Sequence, residues 1–164
     1  MSGQSRPKSM TLTDGVAAGD STLTGLQVIQ GLVGGQLDAS TMATTMAFRL
    51  VEASVGHAVI RAIPNEGYLN LHGTVHGGWA ATLLDSALGC AVVTTLDAGQ
   101  GAATVELSTR FMRPILPSTG PVRVTGRVLN RGRRLVVAEG TISSEADGKL
   151  LGQATGTWMV LERE

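Results

Sequence analysis

The sequence holds one cysteine, Cys90, among its 164 residues, so no internal disulfide can staple it. Its three histidines are scattered, with none of the spacings by which His and Cys pairs grip zinc, and no metal site is expected. Aromatic residues are only two Trp, two Phe and one Tyr, too few for the stacking platforms that hold single-stranded nucleic acid. No sign of charge prevails. Thirteen basic residues against thirteen acidic ones leave no bulk field to draw nucleic acid or an anionic membrane surface, although specific Arg contacts to a small anion stay open. Long apolar runs are missing too, because turn residues and Asp85 break the longest uncharged stretch, and no basic segment followed by an apolar core and a cleavage site is visible. A soluble, cytoplasmic protein without nucleic-acid or membrane partners is the expectation.

What is present suits one domain with a proper core, since single domains cluster near roughly 100 to 150 residues. Residues 1–20, "MSGQSRPKSMTLTDGVAAGD", are polar and without period, which predicts a flexible tail ahead of a single domain over 21–164. Asp20 or Ser21 is placed to cap a short helix over "STLTGLQVIQGLVGG", ended by the Gly34-Gly35 pair. Two strands follow, Thr45 to Glu52 and His57 to Ile63, around a turn at Ser54 to Gly56, and Pro64 stops the second.

After the loop "NEGYLNLHGTV", some twenty small and apolar residues from His76 to about Thr95 favour a helix by their length. The remainder, "AATVELSTRFMRPI", "GPVRVTGRVLNRG", "RRLVVAEGTISSEA" and "GKLLGQATGTWMVLE", alternates apolar and polar and breaks at Gly, Pro, Asn or Asp. Short connections predict these four strands as antiparallel neighbours. The order is α, β, β, long α, then four β, and an α+β fold with one antiparallel sheet wrapped around a central apolar helix satisfies it.

Asp85 is the only charge between Gly77 and Leu96. A carboxylate there is costly unless it is paired, binds a metal or does chemistry. Neighbouring hydroxyls, Thr82 or Ser86, offer a purely structural partner. Gly77 and Gly78 open the helix after His76, where backbone N–H groups lack intrahelical acceptors and the positive end of the helix dipole points outward. That arrangement suits an oxyanion hole, while the same glycines also suit a tight entry turn. Asp85 lies about 12 Å further along the helix at 1.5 Å per residue, so one carbonyl cannot meet both groups of a single helix. If they act together, they come from two subunits across a two-fold axis.

The string G-x-V-H-G-G with an acid nine residues after the His, then F-M-R-P and G-R-R, resembles the hotdog-fold acyl-CoA thioesterases, of the phenylacetate-pathway and Arthrobacter-type 4-hydroxybenzoyl-CoA kinds, over about residues 45 to 161. The resemblance implies that Gly77 donates its N–H to the thioester oxygen, that Asn70 adds an amide contact, and that Asp85 of the partner subunit is nucleophile or general base. His76 is a further candidate base, although a lone His at a helix start is more commonly a hydrogen-bonding residue. Gly78, Arg113, Arg133 and Arg134 are the candidates for holding substrate, the guanidinium groups on the phosphates of coenzyme A. One position departs from the hydroxybenzoyl kind: a hydroxyl residue that helps place water one turn after the acid is here Gly89.

The resemblance implies a homo-oligomer, a dimer for the active site and a tetramer from dimers, acting on an acyl- or aryl-CoA with no cofactor. A non-catalytic acyl-CoA-binding module and a hotdog dehydratase or hydratase are the alternatives. Cys90 reads as core, since nothing nearby in sequence lowers its pKa. Trp79 either lines the pocket or packs in the core.

Overall fold

The computed structural model describes residues 22–162, so the expected tail over 1–20 and the caps Asp20 and Ser21 lie outside the described residues. The first helix, α1 (Gly25–Val33), is capped instead by Thr24: its hydroxyl accepts from Gln27 N, and the Gln27 side chain accepts from Thr24 N. This reciprocal pair satisfies two of the orphan donors at the helix start. Gly34 closes the helix and Gly35, at φ 72°, turns the chain away, as its glycine pair suggested.

A second, short helix, α2 (Thr41–Thr45), was not anticipated; Ser40 caps it through Ala43 N at 3.1 Å. It takes Thr45, the first residue of the expected strand, so β1 starts later, at Phe48–Ser54, and pairs with β2 (His57–Ala62) through a turn at Val55 and Gly56. The long helix, α3 (Gly77–Val93), lies within a residue or two of its expected bounds. Then come β3 (Gln100–Phe111), β4 (Val122–Arg131), β5 (Leu135–Ser144) and β6 (Leu150–Glu162).

All six strands form one antiparallel sheet in the order β1-β2-β4-β5-β6-β3. The expectation that β3 neighbours β4 is therefore corrected. β3 pairs along its length with β6, from Gln100 opposite Glu162 to Phe111 opposite Gly152. The two turns after β4 and β5 are tight, but residues 112–121, with a 3₁₀ turn at Pro117–Thr119, cross the end of the sheet instead. Three strand spacings are about 14 Å, well within the reach of such a segment.

Helix α3 packs across one face of this sheet, most heavily on β4, and fixes the hotdog fold. Leu83, Leu84 and Leu88 are fully buried among Ile60, Val124, Val136 and Ile142. Each such side chain contributes about 1.5–3 kcal/mol of burial. The helix can approach so closely because Gly126 has no side chain: a Cβ there would stand 2.4 Å from the Ala87 carbonyl oxygen. At its far end the Thr94 hydroxyl accepts from Gly56 N at 2.8 Å, and Leu96 O accepts from Gly25 N at 3.0 Å, tying both the β1–β2 turn and α1 to the helix.

Candidate active site

The start of α3 is built by the loop before it. Asn70 organises that loop as an Asx turn: its Oδ1 accepts from His72 N at 2.8 Å and its Nδ2 donates to Thr74 Oγ1 at 2.8 Å. Tyr68 O accepts from His76 N, and Ile115 O accepts from Val75 N, so the entry to the helix is held from both sides. His76 is the cap. Its Nδ1 accepts from Gly78 N at 2.9 Å, which commits the Gly78 N–H and leaves the proton of a neutral ring on Nε2.

The Gly77 N–H, by contrast, has no acceptor among the described residues, and stands at the positive end of a helix of 17 residues. A side chain at Gly77 would press on the Phe111 ring, which a Cβ would meet at 3.2 Å. Trp79 belongs to the core: it is 3% exposed, stacks on Tyr68 and donates to Met46 O at 3.1 Å.

Beyond its first turn, α3 has two unlike faces. Trp79, Ala80, Leu83, Leu84, Ala87, Leu88, Ala91 and Val92 are buried against the sheet, whereas Ala81, Thr82, Asp85, Ser86, Gly89 and Cys90 are only half-buried. Asp85 is on the open face. Its structural partner is neither Thr82, whose hydroxyl donates back to Gly78 O, nor Ser86, but Thr104 on β3, whose Oγ1 donates to Asp85 Oδ1 at 3.0 Å. Sequence reading missed Thr104, because its place beside Asp85 depends on the β3–β6 register and on the bulge between Thr104 and Glu106.

Asp85 and Thr104 line a cleft of about 360 Å³, whose other walls are Leu32 of α1, Ala43 of α2, Phe48 and Leu50 of β1, Val93 of α3 and Trp158 of β6. Most of that lining is apolar, with one carboxylate, Asp85, and one guanidinium, that of Arg49, among its polar groups. Burial pushes the Cys90 thiol up to about 12, and the Asp85 charge adds to the shift, so this cysteine stays protonated and unreactive at neutral pH.

The arginines divide between two ends. Arg113 follows β3 close to Phe111 and the helix start, and its guanidinium donates to Leu150 O. Arg133 and Arg134 sit in the exposed β4–β5 turn, with no carboxylate partner among the described residues. That turn lies by the opposite end of α3, since neighbouring Arg131 reaches Gln100 at the start of β3. Within one chain, then, the helix start, Asp85 and the Arg133–Arg134 turn are spread along an axis of about 25 Å. Among the described residues no group of three His, Cys, Asp or Glu side chains is placed to hold a metal ion, and no helix is long and apolar enough to cross a membrane.

A long helix packed across one face of a six-stranded antiparallel sheet describes a fold class, and the relatives share it. The family model of the thioesterase superfamily matches residues 72–151, from the helix entry to the start of β6. Human acyl-coenzyme A thioesterase 13 is 31% identical over 108 residues, 66% of this chain and 76% of that protein. The chain belongs to the thioesterase superfamily and is a thioester hydrolase.

Two of the similar solved structures are the following. A mutant of the phenylacetic acid degradation protein PaaI from Thermus thermophilus superposes with a TM-score of 0.66 at 28% identity, covering 73% of this chain and 98% of that one. The Streptococcus mutans protein smu.793, bound to acetyl CoA, superposes with a TM-score of 0.64 at 26% identity, covering 71% and 91%.

Proposed function

We propose that the protein is an acyl-CoA thioesterase of the cytoplasm, hydrolysing an acyl- or aryl-CoA to the free acid and coenzyme A in a site shared by two copies of the chain. The observation that carries this reading is Asp85, bonded by Thr104 on the open face of α3 and facing an apolar cleft large enough for an acyl group. In the dimer, the thioester oxygen of the substrate rests on the Gly77 N–H of one copy, with the second Asn70 amide N–H as a further donor, and Asp85 of the other copy acts on the carbonyl carbon or on water. The Gly77 donor costs no reorganisation as the oxyanion develops, because the helix and the His76 cap already hold it.

Support for a two-copy site comes from what one chain leaves uncovered. β3 is a twelve-residue edge strand with Val105 and Phe111 more than half exposed, next to the half-buried face of α3. A long, partly apolar edge of this kind invites pairing with another strand. Pairing two such edges about a two-fold axis sets the helices antiparallel, which brings one copy's helix start toward the other's Asp85 and Arg133–Arg134 turn. Arg113 and this turn then flank the pyrophosphate and ribose phosphate of coenzyme A, and dimers pair again into tetramers. No metal or redox group is needed in this reading, because the thioester is already activated. The relative bound to acetyl CoA is consistent with a coenzyme A site on this fold.

A panel of aromatic and straight-chain acyl-CoAs in a free-thiol release assay tests it, with wild type beside Asp85→Ala. Thiol release that disappears in the variant is the expected result. Binding of the thioesters without thiol release from the wild type would replace it with the binding-module reading.

A further inference from the structure

Two tryptophans are buried in this protein, and only one has its indole N–H satisfied. Trp79 donates to Met46 O at 3.1 Å. Trp158 is 2% exposed, yet its Nε1–H has no acceptor among the described residues. A buried indole N–H ordinarily finds a partner. Nor is this nitrogen sealed in the core, since the one sealed, unpartnered side-chain N or O atom among the described residues is Arg131 Nε. Trp158 Nε1 therefore opens on the space that its residue lines, the cleft of Asp85.

Backbone fixes where it points. At one end of the ring, a Cβ on Gly156 would lie 2.7 Å from Trp158 Cη2, so only glycine leaves room for the indole. At the other end, a Cβ on Gly89 would lie 3.5 Å from Nε1, so the N–H edge runs beside the helix one turn beyond Asp85. Thr104, which holds Asp85 Oδ1, is the cross-strand partner of Trp158. Carboxylate, hydroxyl and indole N–H thus border one corner of the cleft. This is also the turn of the helix where a water-placing hydroxyl is replaced by Gly89.

We propose that the Trp158 indole N–H positions the attacking water, in the place of the missing helix hydroxyl; the proposal rests on the thioesterase reading above. The water accepts a hydrogen bond from Nε1 and donates one to the Asp85 carboxylate, which gives it the two or more polar partners a bound water needs. Its free lone pair then forms the bond to the thioester carbon while its proton passes to Asp85. The carbon–sulfur bond breaks as the tetrahedral centre collapses, and the coenzyme A thiolate leaves with the proton from Asp85. The indole N–H touches the water and not the acyl group, so loss of the donor falls on turnover and not on binding.

The test compares wild type, Trp158→Phe, Asp85→Asn and the double variant Trp158→Phe/Gly89→Ser. kcat and KM are measured on the best straight-chain acyl-CoA and on its 3-hydroxyacyl counterpart. Phe keeps an aromatic side chain but loses the five-membered ring together with the donor, so the thermal midpoint is read beside kcat, and the serine rescue separates the lost donor from the lost volume. We expect kcat to fall about tenfold, the loss of one hydrogen bond, with KM within about twofold and the same ratio for both substrates. The serine, for which Gly89 has room, should return a clear part of the lost kcat by presenting a hydroxyl on the same turn. A merely structural role for the indole would not give that rescue. Unchanged kcat in Trp158→Phe, a loss that appears in KM or only with the hydroxyacyl substrate, or a double variant no faster than the single one would each overturn the proposal. Absence of thiol release from the wild type would instead overturn the thioesterase reading beneath it, and full activity in Asp85→Asn the role of Asp85 on which the water rests, so the failures are told apart.

Discussion

Leu84 and Asp85 are adjacent in sequence and lie on different faces of α3. The leucine is fully buried in the sheet, while the aspartate faces a cleft with one hydroxyl bonded to it. One helix thus carries the stability of the fold on one face and, in the proposed mechanism, the chemistry on the other, successive residues being about 100° apart. The open face is made mostly of small residues, and in the proposed dimer they leave room for a second copy and a substrate to share it. The buried face is large and branched at Leu83, Leu84, Leu88 and Val92, where density is what stabilises.

The most direct way to break that contrast is to change the two neighbours separately. Asp85→Asn should lower kcat by on the order of a thousandfold with thermal midpoint and urea midpoint unchanged, measured by thiol release and by circular dichroism. Leu84→Ala should do the converse. Its cavity should cost about 2–5 kcal/mol in urea unfolding, with kcat per folded molecule retained. Stability lost in the first variant, or turnover lost by the folded second one, would mean that the faces are not separable.

A smaller effect is expected one bond away. Thr104→Val removes the donor to Asp85 Oδ1 without changing side-chain size much, and should cut kcat by about tenfold while leaving the fold alone. The smallest concerns Cys90, on the same open face. Its folded pKa, raised to about 12 by burial, exceeds that of the unfolded thiol, so the folded state keeps a proton that the unfolded state releases above its own pKa. The associated stability is therefore complete at neutral pH and is lost as pH rises toward 12. Cys90→Ala should show a shallower fall in urea midpoint above about pH 9 than wild type. In the native protein at pH 8, Cys90 should resist alkylation.

Legibility in the sequence followed locality. α3 could be placed because length and composition alone favour a helix over Gly77–Val93, and His76 heads it as expected. α2 was hidden, because its five residues carry too little pattern and three of them are β-branched threonines. The neighbour of β3 was misread for a different reason: pairing is non-local, and a ten-residue connection can either turn back or cross the sheet. Thr104 was out of reach for the same cause. Nothing on α3 points to it, and of the hydroxyls nearer in sequence Thr82 is bonded back to its own helix. The candidate site was legible in its types, a carboxylate and a glycine-headed helix, and not in its partners, which come from β3 and β6.

The central claim is that Gly77 and Asp85 serve one reaction only across two copies of the chain. It is tested by mixing two defective variants, Asp85→Asn and Gly77→Pro, the latter deleting the N–H at a helix position that tolerates proline. Each alone should be nearly inactive. After co-refolding, hybrid dimers place both defects in one site and leave the other intact, so about a quarter of wild-type activity should return for random pairing. Hybrids confirmed by differing tags but without any recovered turnover would contradict the account.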